Sequence, residues 1–146
     1  MPKVEYVTMA NHAEAVNGLL YLSGAGWTEH WRTPPAEGPP TASYVGIGVS
    51  ILVAWGETNR RHRLTLRVEG EDGATELYRL EADLEVGRPP GVPPGIDLRS
   101  VLAANLPLVF PQEGGYRVVA QIGNEGQTTS FRVHDQPPPG LLPAGL

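Results

Sequence analysis

With 146 residues, 40% of them hydrophobic, the chain is long enough for one domain that buries on the order of 70% of its unfolded surface. A net charge of −5, from 11 Lys+Arg against 16 Asp+Glu, argues against general nucleic-acid binding, which needs a cationic surface. The absence of cysteine excludes disulfides, thiol catalysis and thiolate metal sites.

Gly 18 and Pro 15 are high, and they fall between apolar runs instead of forming one low-complexity block. That distribution favours many short strands joined by turns. No apolar stretch reaches the ~20 residues that span a bilayer, and no charged segment followed by an apolar run opens the chain. A cytoplasmic protein without a membrane partner is expected.

In chain order, Lys3 to Met9 reads as a strand, with Val4, Tyr6 and Thr8 opposed to Glu5 and Val7. Asn11 to Glu14 has the N-x-x-E spacing of a helix start, but the pattern ends at Asn17-Gly18, so one helical turn at most is expected. Leu19 to Ser23 is a second strand. Trp27 to Thr41, W-T-E-H-W-R-T-P-P-A-E-G-P-P-T, has no periodicity and is expected to be a long loop. Tyr44 to Trp55 alternates Val45, Ile47, Val49, Ile51 and Val53 with Tyr44, Gly46, Gly48, Ser50 and Leu52, a clear strand signal.

His62–Glu69 and Leu77–Val86 alternate on either side of Glu71-Asp72-Gly73, which predicts a hairpin. Gly87 to Gly95 is a proline-rich crossing. A strand carrying Leu106, Leu108 and Phe110 follows, and Pro107 places it at an edge or an irregularity. Tyr116, Val118, Ala120 and Ile122 then share one face, Gly123 to Gly126 turns the chain, and Phe131 and Val133 resume the alternation. Gly-Gly-Tyr opening such a strand suits a tyrosine corner.

About eight strands, no amphipathic helix of useful length and no internal repeat predict an all-β fold. It is read as an immunoglobulin-like antiparallel β-sandwich over residues 1–135, with 136–146 as a flexible Pro-rich tail and a closed barrel as the alternative. Val45, Ile47, Val49, Ile51, Leu64, Leu66, Val68, Leu80, Leu84, Val118 and Ile122 are expected between the sheets.

Sequence motifs for chemistry are thin. His12, His30, His62 and His134 lack the spacing of a metal motif, so no metal and no cofactor are expected. A Ser23/His62/Asp97 set lacks a nucleophile elbow, and Glu69, Glu71 and Asp72 read as turn residues rather than paired catalytic carboxylates. Arg63 and Arg67 form a small cationic stripe able to take a carboxylate or phosphate, or to pair with Glu81, Asp83 and Glu85 across the hairpin. Trp27, His30 and Trp31 are the better binding candidates, since tryptophan is enriched at interface hot spots.

The run V-E-Y-V-T-M-A-N-H-A-E-A-V-N-G-L-L-Y-L-S-G-A-G (residues 4–26), with Gly114-Gly115-Tyr116 downstream, resembles an uncharacterised family of small bacterial proteins. Asn11 stands where that family carries an acid, and Leu19 where it carries a lysine. The resemblance implies an immunoglobulin-like sandwich and brings no activity with it, since that family is of unknown function.

These readings converge on a non-enzymatic module for protein binding or assembly. A structural subunit of a homo-oligomer or larger particle is the first alternative. A small-molecule or carbohydrate binder using Trp27, Trp31 and Trp55 is the second.

Overall fold

The computed structural model describes residues 1–33 and 37–135; the expected tail lies outside them, as do Pro34 and Pro35. Among the described residues there are ten strands: β1 (Lys3–Ala10), β2 (His12–Val16), β3 (Leu19–Ser23), β4 (Glu29–Arg32), β5 (Ser43–Val53), β6 (Arg61–Gly70), β7 (Glu76–Glu85), β8 (Leu98–Leu108), β9 (Gly114–Ile122) and β10 (Glu125–Asp135). One 3-10 turn, Trp55–Glu57, follows β5. The fold is all-β.

Two sheets face each other. One has the order β1-β5-β8, the other β4-β10-β9-β6-β7. All pairings are antiparallel except β4 with β10, which is parallel. Setting β4 aside, a three-stranded sheet against β10-β9-β6-β7 fits the immunoglobulin-like expectation.

Alternation explains what lies between the sheets. Val45, Ile47, Val49, Ile51 and Val53 point inward from β5, Leu64, Leu66 and Val68 from β6, and Tyr116, Val118, Ala120 and Ile122 from β9; all are buried. Leu80 and Leu84 of β7 are only half-buried, because the five-stranded sheet overhangs the three-stranded one on that side. On the opposite side Thr129 Oγ1 donates to Val7 O at 2.7 Å, joining β10 to β1.

Three expectations are corrected. In β1 the inward set is Val4, Val7 and Met9, whereas Tyr6 is exposed. A register shift between Val4 and Tyr6 bulges Glu5 out and reverses the alternation. The displaced Glu5 carboxylate accepts from Ser50 Oγ (2.9 Å) and Arg99 Nε (2.8 Å), tying all three strands together.

Residues 12–16 are not a helical turn. β2 pairs with β3 as a two-residue hairpin, with Asn17 at φ 51° and Gly18 at φ 75°. The hairpin lies on the outer face of β5 and makes a third layer. Its bed is Gly46 and Gly48: a Cβ on Gly46 would sit 2.8 Å from Ala13 N, and one on Gly48 2.7 Å from Leu22 Cδ2.

The Trp27–Thr41 segment is not all loop, since Glu29–Arg32 forms β4. A strand of four residues is too short to declare itself by periodicity, and its partner β10 lies about a hundred residues on.

Candidate functional site

The Trp27–Arg32 segment is built by its neighbours. Gly24 and Gly26 both have positive φ, so the chain turns sharply out of the hairpin, and Gly26 N donates to Met9 O. Trp27 is then laid back, with its Nε1–H donating to Gly24 O at 3.0 Å. From there β4 runs beside β10, with Glu29 opposite Arg132, His30 opposite Val133, Trp31 opposite His134 and Arg32 opposite Asp135.

That register decides each side chain's fate. His30 takes the inward parity of Val133 and enters an aromatic plug at the sandwich end. Its ring stacks on Trp27 (4.3 Å, 9°) and leans on Phe110 (5.4 Å). Trp27 meets the edge of Phe131 (5.7 Å), and Phe110 packs on Tyr116 (5.1 Å). His30 Nε2 is buried with no hydrogen-bond partner, and burial pushes the imidazole below its usual pKa.

Trp31 takes the opposite parity. It sits on the outer face of the five-stranded sheet, 49% exposed, with its ring 4.8 Å from that of His134. His134 Nε2 lies 3.5 Å from Glu29 Oε1 without hydrogen-bond geometry. Arg32 fastens the strand, donating to Asp135 Oδ1 and to Phe110 O, both at 2.6 Å.

The tyrosine corner is present. Tyr116 Oη donates to Gln112 O at 2.6 Å at the start of β9. Beside it is a cleft of about 240 Å³ lined by Gly70, Glu71, Asp72, Thr75 and Glu113 among others.

Arg63 and Arg67 lie on the same outer face as Trp31, toward β7. Arg63 donates to Asp83 (2.8 Å) and Glu81 (3.3 Å), the cross-hairpin pairing that its parity allowed. Arg67 donates to Glu69 (3.2 Å) and Gln121 (3.2 Å), and Arg117 reaches the same Glu69 oxygen at 3.1 Å. The buried Glu69 is thus held between two guanidiniums rather than beside Glu71. Asp72 accepts from Ala74 N in the turn.

The remaining sequence candidates are dispersed. His12 contacts Glu14 in β2, and His62 Nε2 is 2.9 Å from Glu57 O. Trp55 lies under Arg88, whose guanidinium carbon is 3.9 Å from the ring centroid. Neither the cleft beside Tyr116 nor one lined by Val86, Arg88 and Arg99 contains a tryptophan. Among the described residues no group of three His, Asp or Glu could hold a metal ion, and no helix is long and apolar enough to cross a membrane.

A family described only as of unknown function, DUF6941, matches residues 5–134. The chain belongs to that family. No curated protein was found to match it.

The DUF6941 match covers every element that builds the Trp31 face, from β4 through His134. One surface went unread in the sequence. The hairpin exposes Val16, Leu19 and Tyr21 on its outer side, and Tyr44 beyond it is 67% exposed. Asn17-Gly18 between two alternating runs was the available signal.

Proposed function

We propose that this DUF6941 protein is a non-enzymatic binding or assembly module that docks a protein partner on the β4 side of its five-stranded sheet. The observation that carries this reading is Trp31: a tryptophan held half in solvent, backed by the His134 ring, on a strand fastened by Arg32. A rigid, half-exposed aromatic surrounded by polar groups suits an interface anchor, because little side-chain entropy remains to be lost on docking. Trp27 and His30 support that anchor from inside. Arg63 and Arg67 already hold acidic or amide partners and are peripheral to it.

Self-assembly is the second reading, favoured by the exposed Val16, Leu19 and Tyr21 of the hairpin. A carbohydrate site formed by three tryptophans has less support, since Trp27 and Trp55 each face a neighbouring side chain, His30 and Arg88. We assign the protein to the bacterial cytoplasm as part of the same reading; its fold needs no oxidising compartment, having no cysteine to bridge.

The test is Trp31→Ala in a co-purification and affinity measurement. Association should weaken by about 2 kcal/mol or more with the melting temperature nearly unchanged. A variant that melts early and associates normally would overturn the proposal.

A further inference from the structure

The two long sides of the sandwich differ. Where β1 meets β10, Thr129 bonds across to Val7. Where β7 overhangs β8, no hydrogen bond joins the two strands among the described residues. There Tyr78, Leu80, Ala82 and Leu84 on β7 point inward yet are only half-buried, as are Leu98, Leu102 and Ala104 on β8. β7 is also an open edge, ten residues long, with one row of backbone groups free of any strand partner.

We propose that β7 pairs antiparallel with β7 of a second copy, about a two-fold axis through Leu80, joining two sheets into one of ten strands. The charge pattern selects both the occupant and the register. Only registers that keep the faces matched are allowed, so residues of like parity must be opposed. Centring on Ala82 sets Glu81 against Asp83 twice, and centring on Glu81 sets that acid against itself. Centring on Leu80 opposes Arg79 to Glu81 of the second copy twice, Leu80 to Leu80 and Tyr78 to Ala82, with no acid facing an acid.

The bulge that displaces Leu77 from the β6 register bounds the ladder to about residues 78–82. Arg79 now contacts Glu76 (2.8 Å) and Glu81 (3.5 Å) of its own chain. All three side chains are exposed, so these pairs are weakly held and exchangeable. In the paired state the half-buried rows of the two β8 strands face each other over the joined β7 strands, and the apolar opening closes. The contact is isologous, so it stops at a dimer.

Sedimentation equilibrium of the full chain at low salt tests this, with circular dichroism confirming that each variant is folded. The wild type should form a dimer. Arg79→Glu and Glu81→Arg should each weaken it by about tenfold or more, since each variant sets like charges opposite one another. An equimolar mixture of the two variants should form a heterodimer close to wild-type affinity, because every opposed pair is again of opposite sign. A monomeric wild type, single variants that dimerise normally, or folded variants that do not recover on mixing would each overturn the proposal. The Trp31 reading is independent of the outcome, since β4 is the other edge of that sheet.

Discussion

Asn105 holds the backbone of Ala13 by both ends of its amide: Oδ1 accepts from Ala13 N at 3.0 Å, and Nδ2 donates to Ala13 O at 2.7 Å. The two residues are far apart in sequence, and Asn105 plays the part of a strand neighbour for the buried Ala13. Replacing Asn105 with Ala should cost about 1–3 kcal/mol, since two polar groups beside a buried residue lose their partner. Amide exchange at Ala13 should accelerate well beyond that of Leu66. Unchanged protection at Ala13 would show that the hairpin is held by apolar contact alone.

The two glycines beneath the hairpin should differ in tolerance. A methyl on Gly46 meets backbone, Ala13 N and His12 C, which cannot yield without moving the hairpin; one on Gly48 meets the ends of Leu22 and Leu20 side chains. Gly46→Ala is therefore expected to cost about 1–3 kcal/mol, and Gly48→Ala less. Urea denaturation of both variants gives the comparison, and equal losses would contradict it.

Tyr116→Phe keeps the ring against Phe110 and deletes the short bond to Gln112 O together with the longer one, 3.4 Å, that the hydroxyl accepts from Gln112 N. A loss of about 1 kcal/mol is expected, the usual net value of one well-formed hydrogen bond. A neutral substitution would mean that water replaces the hydroxyl without cost.

His30 predicts an acid sensitivity. Burial lowers its folded pKa, so the unfolded chain takes up a proton first as pH falls. The stability of the neutral, buried ring is fully present above the ordinary histidine pKa of about 6.5 and is lost progressively below it. The Glu5 carboxylate, lowered chiefly by its Arg99 hydrogen bond and then by Ser50, adds a separate loss only at more acidic pH, as it falls through that group's folded pKa. His30→Phe should flatten the stability profile between about pH 7 and pH 5 relative to the wild type. A variant that retains the full slope would assign it to another group.

Much of the sandwich was legible because β5, β6, β7 and β9 each place three to five apolar residues inward at a period of two. The rest failed for local reasons. One bulged residue, Glu5, inverted the parity of β1 and parted Tyr6 from the face of Val4. β2 is only five residues long, and Asn11 to Glu14 imitates a helix start. β4 derives its strand geometry from β10 rather than from its own pattern. The site split in the same way: Trp27 and Trp31 are equivalent as sequence, yet the Gly24–Gly26 turn lays Trp27 back against His30, and the pairing of Trp31 with His134 sends Trp31 to solvent.

That pairing also imposes an order of events. The Arg32–Asp135 bond spans 103 positions of the chain, so β4 has nothing to lie against until β10 has been synthesised and folded onto β9. Closing so long a loop is slow relative to forming the local hairpins of β6–β7 and β9–β10. A nascent or truncated chain therefore presents Trp31 without its backing ring, and recognition through this face would register only molecules whose folding is complete.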